Sequence, residues 1–129
     1  MISYDRFCEM AESEAQLLPD YVHEELNGGV LTDPSVCMHP GRVADDLYIL
    51  GTYNVHPVMG RQIVLYYGSF KAVLGEADEN AYQSRLRETI RHEFRHHMES
   101  RAGLRKKGTL IEEDDERMRM YYRSHGKIL

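Results

Sequence analysis

Thr89-Ile90-Arg91-His92-Glu93-Phe94-Arg95-His96-His97 has helical spacing, and it places two imidazoles four residues apart with a carboxylate next to the first. One turn separates His92 from His96, so both rings can reach a single ion while Glu93 reaches a water held on that ion. Residue types in this order point to hydrolysis. At about 100 degrees per residue, Leu86, Ile90 and Phe94 share a buried stripe, Arg87, Arg91 and Arg95 follow one another on the wetter side, and the two histidines fall on the border. A metal held there lies in a groove between the helix and a sheet. Glu93 turns inward from that border, where a carboxylate is costly without a pairing or ionic partner. His97 projects into the apolar stripe, too far round to share an ion with His92 and His96, and reads as the owner of a buried hydrogen bond.

Outward from this stretch, the helix extends from Glu79 to about Gly103 without proline or internal glycine. Upstream, Leu47 to Tyr53 and Gln62 to Tyr67 read as strands joined by the turn-rich stretch Asn54 to Arg61; they are rich in aromatic and β-branched residues and bounded by glycine. Tyr53, Tyr66 and Tyr67 read as packing residues of those strands. His39 and His56 each precede a proline and read as loop residues, and Val30-Leu31 begins a short strand. Tyr4, Phe7, Cys8, Ala11, Ala15 and Leu18 repeat with the period of an amphipathic helix over about residues 3–17. Asp20 to Leu26 forms a second helix that Asn27-Gly28-Gly29 stops; His23 within it is a surface or packing residue. The fold class expected from this order is α+β.

A length of 129 residues allows one domain, taken as 1–129. A net charge of -5 argues against general nucleic-acid affinity, and the cations from Arg85 to Lys107 read as a solvated helical face. Cys8 and Cys37 read as reduced thiols. Met1 to Arg6 runs straight into charge, unlike a signal peptide, and no stretch approaches the roughly 20 apolar residues of a membrane span. The expected setting is the cytoplasm, with no membrane partner.

A catalytic zinc ion normally takes three protein ligands and keeps one position open to water. Glu99 lies on the same border but a further turn along, which suits it to accept an imidazole N–H or to act as a fallback ligand. Glu112-Glu113-Asp114-Asp115-Glu116 is the stronger source. Gly103 and Gly108 frame a basic connection that lets the chain turn back, and acids at the start of a last helix also suit its N-terminal dipole.

The stretch Thr89 to His97, preceded by the strand Ile63 to Tyr67 and by Gly51-Thr52-Tyr53, resembles the minimal zincin-like metallopeptidases of bacteria, with the doubled His96-His97 as the distinguishing mark. The resemblance covers about residues 15–120. It implies a zincin-like fold: N-terminal helices, a small mixed sheet, a long active-site helix and a C-terminal helix. In typical members a glycine and then an aspartate follow the doubled histidine; here Glu99 and Ala102 stand in those places. Asp115-Glu116-Arg117 resembles the surroundings of that aspartate, displaced by an insertion. The resemblance therefore implies Zn2+ held by His92, His96 and Asp115, with Asp114 or Glu99 as alternatives, and Glu93 as general base.

The substrate implied is a short or flexible peptide, which can add as a strand beside Leu47 to Tyr53. No further oxyanion donor is assignable from the sequence. The other reading is a non-catalytic zinc domain that binds a protein partner.

Overall fold

The first helix, α1 (Tyr4–Gln16), starts where the Ser3 hydroxyl accepts the Arg6 N–H and buries Phe7, Met10, Ala11 and Glu14 on one face. Pro19 opens the short α2 (Asp20–Glu25), and β1 (Gly29–Asp33) follows. A long connection then leads to β2 (Gly51–His56), a hairpin turn and β3 (Gly60–Tyr66). Gly60 has φ +80, and a Cβ there would run into the Asn27 side chain, so this turn depends on glycine. Three more helices follow: α3 (Tyr67–Leu74), α4 (Glu79–Ala102) and α5 (Leu110–Ser124). This computed structural model describes residues 2–102 and 110–124, less the side chains of 21, 100–102 and 110–116.

The sheet order is β1-β3-β2, with β1 parallel and β2 antiparallel to β3. Among the described residues, five helices and a small mixed sheet make the architecture α+β. Because β3 lies in the middle, its Ile63 and Leu65 are fully buried, while β2 is left as an edge. Phe7, Phe70, Tyr82, Leu86 and Ile90 complete the core from α1, α3 and α4. Two ion pairs fasten α1 along α4: Arg6 Nε to Glu79 Oε1 at 2.6 Å, and Arg87 Nη2 to the buried Glu14 Oε1 at 2.9 Å. Among the described residues no helix is long and apolar enough to cross a membrane.

The bounds of β2 and β3 differ from the sequence expectation, for a traceable reason. Leu47 to Leu50 do not pair along β3 as a continuous strand. The Leu47 carbonyl accepts His39 N–H at 3.0 Å, and Ile49 N–H donates to the Cys37 carbonyl at 2.8 Å, so this stretch bridges the loop before it. β2 begins at Gly51 and runs on to His56, the residue expected in a turn. At the other end Tyr67 starts α3 instead of ending a strand, a helix the sequence reading did not contain. Gly68 N–H donates to the Ser35 carbonyl at 3.1 Å, and the Ser69 hydroxyl bonds both N–H and C=O of Cys37. These ties to the preceding loop turn the chain out of the sheet.

Candidate metal centre

Asp78 caps α4 by accepting the Ala81 N–H at 2.9 Å, and the helix then carries its apolar stripe across the sheet. Leu86 and Ile90 are buried, as their spacing requires, and Arg87, Arg91 and Arg95 are exposed. His92 and His96 are half-buried on the border, with ring centroids 5.1 Å apart, and Glu93 is 6 % exposed. One ligand atom from each of His92, Glu93 and His96 lies within 4.8 Å of the others. A tetrahedral ion with bonds of about 2.1 Å holds its donors roughly 3.4 Å apart, so small rotations of the two imidazoles suffice to share one. Two nitrogen donors with a carboxylate beside them suit a divalent ion such as zinc.

The cluster opens into a groove of about 960 Å³ between α4 and the stretch Leu47 to Asn54, with Arg117 and Met118 of α5 on a third side. Arg85, Glu88 and Thr89 line the wall of α4 before the cluster. Among the described residues β2 is an edge strand, and its residues Gly51 to Asn54 line the groove beside the cluster. Among residues that the sequence reading set aside, His39 also lines this groove. A proline after a loop histidine carried no signal of that placement, which comes from the bridge between residues 37–39 and 47–49.

His97 is fully buried and makes hydrogen bonds through both ring nitrogens. The Tyr53 hydroxyl lies 3.0 Å from Nδ1, and Glu25 Oε2 lies 2.9 Å from Nε2. Arg61 Nη1 donates to the same Tyr53 oxygen at 2.6 Å. A guanidinium only donates, so the hydroxyl proton is free to go to Nδ1 and the ring proton to Glu25. This order gives each donor an acceptor along Arg61, Tyr53, His97 and Glu25.

Glu99 is buried beside Arg95, with Nε and Oε1 3.9 Å apart, and is not part of the three-residue cluster. Asp114 and Asp115 belong to the first turns of α5, but their side chains lie outside the described residues. His56 is exposed at the far end of β2, where its Nδ1 accepts the N–H groups of Val58 and Met59 at 3.1 and 3.0 Å, and His23 is exposed on α2. Cys8 and Cys37 are free thiols, and burial raises the pKa of Cys37.

No family model matches the sequence, and no curated protein matches it. Among solved structures, a conserved hypothetical protein from Thermus thermophilus is 34% identical, with a TM-score of 0.66, over 78% of this chain and 98% of that one. The chain belongs to that protein's family. The match spans almost the whole of the Thermus protein.

Proposed function

We propose that this protein is a zinc-dependent metallopeptidase of zincin-like fold that hydrolyses peptide bonds in short or flexible peptides. The observation that carries the reading is the convergence of His92, Glu93 and His96 on a groove lined by β2, the edge strand among the described residues. A zinc ion, when bound, would supply a Lewis acid and lower the pKa of its water toward neutrality. His92 and His96 hold the ion. Glu93, buried at its edge, takes a proton from the attacking water and passes it to the departing amine. The edge of β2 offers backbone N–H and C=O groups to an extended substrate, which aligns one of its carbonyls beside the cluster.

The acidic segment of α5 supplies the third ligand, with Asp115 first, then Asp114, and Glu99 of α4 as the remaining choice. Support comes from Arg117 and Met118, which follow that segment directly and line the groove. Metal titration of Asp115→Asn, Asp114→Asn and Glu99→Gln ranks the three, and the ligand is the one whose loss weakens binding on the order of 100-fold or more.

The deciding experiment pairs metal content with peptide turnover. Wild type is expected to bind one zinc per chain and to cleave members of an unstructured peptide library, while Glu93→Gln keeps the zinc and loses activity by about 10²–10⁴-fold. Equal turnover in wild type and Glu93→Gln, or full zinc binding by His92→Ala, rejects the reading.

A further inference from the structure

His39 lines the same groove as His92, Glu93 and His96 without belonging to the set of close ligand atoms. Its ring is oriented by the backbone. Nδ1 accepts the Gly41 N–H at 2.9 Å, and a nitrogen that accepts such a bond carries no proton of its own. The neutral ring therefore bears its proton on Nε2, which makes no hydrogen bond among the described residues.

The loop that carries this histidine is tied on several sides. His39 N–H donates to the Leu47 carbonyl at 3.0 Å, and the His39 carbonyl accepts Arg42 N–H at 3.1 Å. From α5, the Tyr121 hydroxyl accepts Val43 N–H at 2.9 Å and donates to Asp46 Oδ1 at 2.8 Å. Gly41 leaves room for the ring, since a Cβ there would come within 3.2 Å of His39 Nδ1 and Cε1. A donor held in place and left with one unused N–H is suited to meet charge that develops on a substrate.

On the reading of this groove as a peptidase site, we propose that His39 is a catalytic residue whose Nε2–H donates a hydrogen bond to the carbonyl oxygen of the scissile peptide bond. The bond strengthens as negative charge gathers on that oxygen. His39 thereby supplies the protein's own oxyanion donor, while Glu93 manages the proton on the opposite side of the reacting carbon. No covalent bond to the imidazole forms, and its proton stays on Nε2.

The test measures binding of a phosphinic peptide, whose tetrahedral anionic centre mimics the reacting carbon, and of the matching uncleaved peptide at low temperature. Calorimetry is run on zinc-loaded wild type, His39→Phe and His39→Gln. Phenylalanine keeps the ring volume without a donor; glutamine restores an N–H. His39→Phe is expected to bind the phosphinic peptide about 100-fold more weakly, with zinc content and ordinary peptide affinity unchanged, and His39→Gln to recover part of the loss.

Unchanged phosphinic affinity in His39→Phe, or a parallel loss of zinc, overturns the role of His39 and leaves the peptidase reading standing. A zinc-loaded wild type that neither cleaves peptides nor binds the phosphinic peptide overturns both.

Discussion

The Tyr53 hydroxyl and His97 Nδ1, 3.0 Å apart, join the edge strand β2 to the helix that carries His92, Glu93 and His96. Through Arg61 and Glu25 the same chain reaches β3 and α2, so one buried imidazole ties four elements together. His97 immediately follows His96. Holding its ring from both sides limits how α4 can rotate, and with it the direction in which His92 and His96 point.

Tyr53→Phe removes the one group that both accepts from Arg61 and donates to His97. The imidazole is fully buried, so its lost partner is not replaced by water. The expected cost is about 1–3 kcal/mol of folding stability, measured by urea unfolding. A cost near zero would show that the Arg61-to-Glu25 chain does not brace the helix.

A ligand that binds only the folded protein stabilises it by mass action. Zinc at about 1,000 times its dissociation constant is expected to add roughly 4 kcal/mol, and chelation to remove it. His92→Ala and His96→Ala should abolish this increment while leaving metal-free stability nearly unchanged, because both side chains stand half-buried on the border of α4. Thermal unfolding with zinc and with chelator measures both effects.

Glu14 is buried on α1 and hydrogen-bonded by Arg87, which lowers its carboxyl pKa below the ordinary 4.5; the Gln83 amide acts in the same direction. The native state therefore favours the ionised form. Stability from this pair is fully present above about pH 4.5 and is lost as pH falls through the lowered native value. Glu14→Gln is expected to cost about 1–2 kcal/mol at pH 7, a modest figure because Arg87 is half exposed, and to flatten the acid limb of the stability curve. Unfolding free energies between pH 2 and pH 7 check the sign.

Gly51 lets β2 pass close under α4. A Cβ there would lie 2.9 Å from Thr89 Cγ2 and 3.2 Å from the Val64 carbonyl oxygen. Gly51→Ala is expected to force the strand and helix apart and to cost about 1–3 kcal/mol. Because Thr89 lies one turn before Glu93, the variant should also weaken zinc binding, read by titration. A variant as stable as wild type would show that Thr89 yields.

The helices were the most legible part of the sequence. The period that set Leu86, Ile90 and His97 inside and Arg87, Arg91 and Arg95 outside depends on one segment alone, and α4 has that burial. The cluster was legible for the same reason, since His92, Glu93 and His96 need only one turn of helix to meet. What depended on distant partners was hidden. Leu47 to Leu50 are as apolar as a strand, but His39 and Cys37 take the hydrogen bonds of Leu47 and Ile49. Tyr67 looked like the end of a strand, and Gly68 to Leu74 carried no expected element, because the anchors that start α3, Ser35 and Cys37, lie about thirty residues upstream. His39 was read as a plain loop residue because its contacts with Leu47 and the contacts of its loop with Tyr121 cross from one part of the chain to another.

Both ion pairs between the first and fourth helices, Arg6 with Glu79 and Glu14 with Arg87, span 73 positions of the chain. At ribosomal rates of about 5–20 residues per second, α1 waits several seconds after synthesis before its partner emerges. Throughout that interval Phe7, Met10 and Ala11 have no α4 to cover them. The apolar face of α1 is therefore closed only once α4 has been made, whatever the rate at which α1 itself becomes helical.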